Sequence, residues 1–178
     1  EKNKNKEKHQ NKIDLKADEA KQAKKKLLAQ ALQKKLDETI GKLNGGGKPI
    51  IKVTVNKDGV VISLTDQVGH SMFDIGSAVP KPGTVTLADT LSAAIKEHHK
   101  GSIVISGHTD GRAFSSGKYD NWRLSTDRAH AFYHMLSRGG VDMSRVSRVQ
   151  GFAAQRPKVP SDLNSPLNRR VEITLQTS

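Results

Sequence analysis

"SIVISGHTDGRAF", residues 102–114, decides how this chain folds. Ile103-Val104-Ile105 is an apolar run of strand character that stops abruptly at Gly107, His108, Thr109 and Asp110. A polar loop of more than ten residues follows. A buried strand that carries a carboxylate to the start of a long loop builds one wall of a cleft.

Working outward, "IIKVTVNKDGVVISL" at 50–64 alternates on both sides of Asn56-Lys57-Asp58-Gly59, which predicts a hairpin. A loop holding Phe73 leads to a helix over about 84–98, with the stripe Leu87, Ala88, Leu91, Ala94 and Ile95. A second helix is expected from Ser125 to Arg138, with Ala129, Phe132, Tyr133 and Leu136 inward and Gly139-Gly140 as its stop. "RVSRVQGF" reads as a strand, 153–167 as a Pro-rich loop, and "RRVEITLQ" as a closing strand. Strands alternating with helices predict an α/β sandwich (α+β): a mixed sheet with helices on one face.

The segment before this unit differs in kind. The 178-residue chain carries a formal charge of +12, and residues 1–48 hold fourteen Lys against seven acids. The basic excess is therefore mostly a property of this segment, and it suits nucleic acid, anionic lipid or an acidic polymer alike. Residues 1–12 read as a disordered Lys-rich tail. Residues 13–48 read as a helical linker with Ile13, Ala17, Ala20, Leu27, Ala31, Leu36, Ile40 and Leu43 at roughly helical spacing, ended by a Gly hinge at "NGGGKP". Lys24 interrupts any coiled-coil seam. The compact domain is expected over 49–178.

Several sites are weakened by their own residues. "NGGGKP" lacks the spacing and the Ser or Thr of a phosphate loop. His130 and His134 share a helix face, but Ala131 stands where a metalloprotease needs Glu, and no third ligand follows. "GHSMF" around Ser71 ends in Phe73 rather than Gly, so it is no nucleophile elbow. Without Cys there is no disulfide scaffold or thiolate site. Aromatics at 4% leave few platforms for stacked bases, which argues against nucleic acid. No apolar stretch is long enough to span a bilayer.

The charged residues near the opening stretch are the strongest candidates. Asp110 lies at the strand end, and Arg128 is expected in the first turn of the following helix, with Ser125 as N-cap and Asp127 near the positive end of the dipole. An anion and a planar cation across a cleft would hold an ammonium and a carboxylate together. Strand alternation sends Arg169 and Arg170 to opposite faces, so at most one should reach the cleft. An alternative stays open on spacing alone: Asp110 caps a turn, and Arg128 pairs with Asp110 or Asp127.

"SGHTDG…YDNWRLSTDRAHAFYHMLSRGGVDMSRV…GFAAQRP…NRRVEI" resembles the OmpA-like peptidoglycan-binding domain over about 70–176. Within that family, "YDNWRLSTDRA" and the long loop before it are most similar to the stator B subunits of flagellar motors (the MotB group). The resemblance implies non-catalytic binding of peptidoglycan through the diaminopimelate of its stem peptide, with no cofactor and no metal. Asp110 would take the ammonium and Arg128 the carboxylate. Thr109 and Asn121 would add polar contacts, Arg169 would line the site, and Asn168 would order the strand entry. The resemblance also implies a periplasmic domain attached to the inner membrane by a helix outside this chain. Partners would be a membrane stator A subunit, basal-body ring proteins and a second copy in a homodimer. The alternatives are a wall anchor of the outer-membrane porin or lipoprotein type, or a basic nucleic-acid-binding module. Three departures from the family stand out: Gly111 where Asn is frequent, Ala153 in place of the second Gly of Gly-x-Gly, and the long loop 112–120.

Overall fold

The computed structural model describes residues 2–42, 49–113 and 119–177. The hinge at 44–48 and part of the long loop, 114–118, lie outside the described residues.

The hairpin forms as expected: β1 (Ile50–Val55) and β2 (Gly59–Thr65) pair antiparallel, with Val53 opposite Ile62. Asn56 Oδ1 accepts the N–H groups of Asp58 and Gly59, which turns the chain between them. A loop then carries Met72 and Phe73 into the core before α2 (Pro82–His98), which starts with Pro in its first turn. β3 (Ile103–His108) follows, then α3 (Asn121–Arg138), β4 (Val146–Gly151) and β5 (Arg170–Gln176).

The strand order is β1-β2-β5-β3-β4. β3 and β4 are parallel neighbours joined through α3. β5 inserts antiparallel between β2 and β3, which were far from it in sequence. Alternate residues Val60, Ile62 and Leu64 of β2, Ile103 and Ile105 of β3, and Val171, Ile173 and Leu175 of β5 face one core. Leu87, Leu91 and Ile95 of α2 and Phe132 and Leu136 of α3 meet them there. This is the mixed sheet with helices on one face.

α3 approaches the sheet closely because β3 and β4 carry glycine at the contact. A Cβ on Gly107 would lie 1.9 Å from the Ser125 carbonyl oxygen, and one on Gly151 would lie 2.3 Å from Thr126 Oγ1. The two glycines are register partners, so the pair forms a notch for the helix.

Two expectations are corrected. α3 begins at Asn121, capped by Asp120, whose side chain accepts the Arg123 N–H; Ser125 is not the N-cap. Ser125 is buried one turn on, where its Oγ donates to the Trp122 carbonyl and accepts the Ala153 N–H. Arg128 therefore lies in the third turn, and the cap, Asp120, is five residues earlier than the expected Ser125.

The second correction concerns the N-terminal segment. α1 runs from Lys2 to Lys42, so the helix takes in residues 2–12, which were expected to be a disordered tail. Lys, Glu and Gln keep good helix propensity even where no apolar face exists. Its stripe also differs: Leu27 is exposed, whereas Lys25, Ala29, Leu32 and Leu36 are buried. Leu32 and Leu36 belong to the same core as the sheet and α2. Gln33 donates to the Ile51 carbonyl and accepts the Val53 N–H, so its amide satisfies the free edge of β1. Lys25 Nζ donates to the carbonyls of Asn56 and Lys57, and Lys35 pairs with Glu97. The second half of α1 is part of the packed unit, and a division at residue 49 cuts through it.

Candidate functional site at the end of the sheet

Topology brings three strand ends together. Arg170 of β5 is opposite Thr65 of β2 and also opposite His108 of β3. Asp66 follows β2, Asp110 lies two residues past β3, and Arg169 precedes β5, so all three fall on one edge. Arg169 sits between the two acids. Its Nε donates to Asp66 Oδ2 at 2.9 Å, and its Nη1 donates to Asp110 Oδ2 at 2.8 Å.

Both aspartates are buried, at 2% and 7% exposure, so these contacts are little screened. Burial opposes the charge on Arg169, but its bonds to Asp66 and Asp110 outweigh that and raise its pKa above the ordinary guanidinium value. Asp66 Oδ1 also accepts the Met72 N–H at 2.9 Å. Asp110 Oδ1 accepts the Arg112 N–H at 3.2 Å, and the Arg112 guanidinium lies 3.6 Å from Oδ2.

Arg128 enters from α3. Its Nε donates to the Ser77 carbonyl at 3.0 Å, and its guanidinium sits 5.1 Å from the centre of the Phe73 ring. Burial lowers its pKa, with Asp66 the strongest opposing influence. A hollow at this edge is lined by Asp66, Phe73, His108, Arg128, Arg169 and Arg170, among others. The Nη groups of Arg128 and Nη2 of Arg169 have no hydrogen-bond partner among the described residues. Two guanidinium edges thus remain for an anion, beside carboxylates that can accept a cation.

The expected site residues separate on this geometry. Asp110 and Arg169 are in direct contact, and Arg128 joins Arg169 at the hollow. Asp110 and Arg128 do not pair with each other; Asp110 bonds Arg169, and Arg128 bonds the Ser77 carbonyl within the electrostatic reach of Asp66 and Asp110. The alternative in which Arg128 pairs with Asp127 is excluded, because Asp127 instead accepts from Tyr119 and lies near Arg123. Thr109 is buried; its N–H donates to the Ala153 carbonyl, while its Oγ1 has no partner among the described residues. Asn121 is farther out, where its side chain donates to the Arg112 carbonyl and ties the loop to the start of α3. Asn168 does order the strand entry, binding Val159, Asp162 and Leu163.

The expectation that at most one of Arg169 and Arg170 reaches the cleft is corrected: both line the hollow. Arg169 lies one residue before β5 and is free of its alternation. Asp66, Phe73 and Ser77 were missed. A signal for Asp66 existed, since β2 and β3 both run into Thr-Asp, at 65–66 and 109–110. Ala153, one of the departures noted above, has φ 48°, the left-handed conformation that glycine adopts without strain.

The OmpA family model matches residues 72–170 of this chain. The chain belongs to the OmpA family. It is 33% identical over 128 residues to Motility protein B of Escherichia coli, covering 71% of this chain and 41% of that protein. It is 27% identical to Motility protein B of Bacillus subtilis over 128 residues, which is 48% of that relative. The chain thus spans under half the length of these relatives. Among solved structures, it resembles the cell wall anchor of the type VI secretion system (T6SS) from Pseudomonas aeruginosa, with TM-score 0.64 and 25% identity over 85% of this chain and 97% of that one. A MotB-like protein from Desulfovibrio vulgaris gives TM-score 0.61 at 25% identity over 86% and 96%. The periplasmic domain of Helicobacter pylori MotB shares the fold, with TM-score 0.62 at 20% identity over 72% and 80%.

Proposed function

We propose that the domain binds peptidoglycan without catalysis, through the zwitterionic head group of diaminopimelate in the stem peptide, and so anchors a flagellar stator complex to the cell wall. The observation that carries this reading is the sheet-end cluster in which Arg169 bridges buried Asp66 and Asp110, while Asp66, Arg128 and Arg169 line one hollow. A ligand carboxylate fits the free guanidinium edges of Arg128 and Arg169, and an ammonium fits Asp110. Among the described residues, no group of three or more His, Asp or Glu gathers to hold a metal, and the arrangement offers binding groups rather than a nucleophile and base.

Each charge-assisted contact contributes about 1.5–3 kcal/mol net. One such cleft gives binding in roughly the millimolar to micromolar range. A homodimer acting on one sacculus would raise retention through effective concentration. In this reading the domain is periplasmic, and α1 leads back toward the inner membrane, where a stator A subunit would be the partner. The 41 residues of α1 reach about 60 Å. The likeness to a cell wall anchor of a secretion machine favours a second reading, in which the same cleft tethers a different envelope assembly.

The test is co-sedimentation of the full chain with purified sacculi at high salt, where binding driven by the Lys-rich segment is screened. Asp110→Ala is expected to lower retention at least tenfold while far-ultraviolet circular dichroism stays that of the wild type. Retention that disappears in the wild type at 0.5 M salt, or is equal in the variant, rejects the cleft as the binding site. Restored swimming in a stator-deficient strain by the complete protein separates the two assemblies.

A further inference from the structure

The two carboxylates of the cluster are held differently. Asp66 has both oxygens committed, Oδ1 to the Met72 N–H and Oδ2 to Arg169 Nε, and its own N–H donates to the Arg169 carbonyl at 3.0 Å. It is a fixed clamp on one edge of the guanidinium. Asp110 receives a single bond from Arg169, through Nη1. An arginine that meets a lone carboxylate favours two parallel bonds to it. Here the Nε half of that fork is occupied by Asp66, so Asp110, whose other neighbours are the Arg112 N–H at Oδ1 and the exposed Arg112 guanidinium 3.6 Å from Oδ2, keeps acceptor capacity for a ligand cation.

We propose that Asp66 is a positioning residue that sets the requirement for a ligand ammonium. By holding Arg169 at Nε, it keeps the guanidinium from closing on Asp110 through two bonds. This inference rests on the binding function proposed above. Without the clamp, Arg169 takes over both Asp110 oxygens, and the hollow gains one positive charge. The ammonium subsite is then lost while the carboxylate subsite survives.

The test compares two small ligands by NMR titration of the full chain: meso-diaminopimelate, and pimelate, the same dicarboxylate without amino groups. In Asp66→Asn, affinity for diaminopimelate is expected to fall at least tenfold, while affinity for pimelate holds or rises. Asp66→Glu should recover part of the loss, because a carboxylate is again available to Nε. In an Arg169→Met background, adding Asp66→Asn should change diaminopimelate binding less than twofold, since the residue acts through Arg169. Equal losses for both ligands, or no loss, overturn the inference while leaving the binding function in place. A wild-type chain that binds neither sacculi nor diaminopimelate overturns both.

Discussion

Arg169 and Arg170 are neighbours in sequence and line the same hollow, yet they are used in opposite ways. Arg170 has every edge spent inside the protein: Nε on Glu172 at 2.6 Å, Nη1 on the Asn168 carbonyl and Nη2 on the Arg156 carbonyl. Glu172 in turn faces buried His108, which stacks on Phe152, and Arg156 lies over the far face of that ring. Arg169 instead spans two acids with an edge left over. A cation with every guanidinium nitrogen bonded within its own fold holds structure. A cation left with spare donors at a hollow is available to a ligand.

The largest effect should come from Arg170→Met. Removing buried Arg170 leaves part-exposed Glu172 and two carbonyls short of donors, at a cost of about 3 kcal/mol in urea unfolding. A loss below 1 kcal/mol would show that Arg170 is not the structural member of the pair.

Acid unfolding sharpens the same contrast. Burial acts to raise the pKa of Glu172, but the nearby His108 ring and the bond from Arg170 outweigh it and lower it from 4.5 to about 2. A depressed carboxylate pKa means that the folded state binds fewer protons than the unfolded chain. Its contribution is therefore complete above pH 4.5 and is lost as pH falls toward 2. Glu172→Gln should flatten this limb of the stability curve, removing on the order of 2 kcal/mol after allowance for partial exposure. An unchanged slope between pH 4.5 and 2 would contradict it.

The smallest effect concerns the backbone beside Thr109. Ala153→Gly should stabilise the fold by about 0.5–1 kcal/mol, since φ 48° strains any residue with a Cβ. Thermal unfolding measures it, and a destabilised glycine variant would show that the gain in unfolded-chain freedom outweighs the relieved strain.

Much of the fold was legible because its signals are local. The alternation at 50–64 and the stripe Leu87-Leu91-Ile95 each report a face within one element. The sheet order was not local, because β5 joins β2 across more than a hundred residues of chain. That is why Asp110 was found at the end of an obvious strand, while Asp66, held only through Arg169, was missed. The start of α3 was misjudged because "LSTD" carries capping residues that the helix uses one turn inside itself. The docked half of α1 was obscured by Lys25, which reads as solvated but is buried against the carbonyls of the β1–β2 turn.

The insertion of β5 between β2 and β3 has a consequence for how this receptor comes into being. Until residues 169–176 arrive, the hairpin and the β3–α3–β4 unit share no seam, and each presents an open flank that could pair wrongly with another chain. Docking the late strand closes both flanks and delivers the central cation of the site in a single step. Under the proposed function, a chain in which this strand is not yet docked lacks Arg169 in the cluster that would hold the ligand.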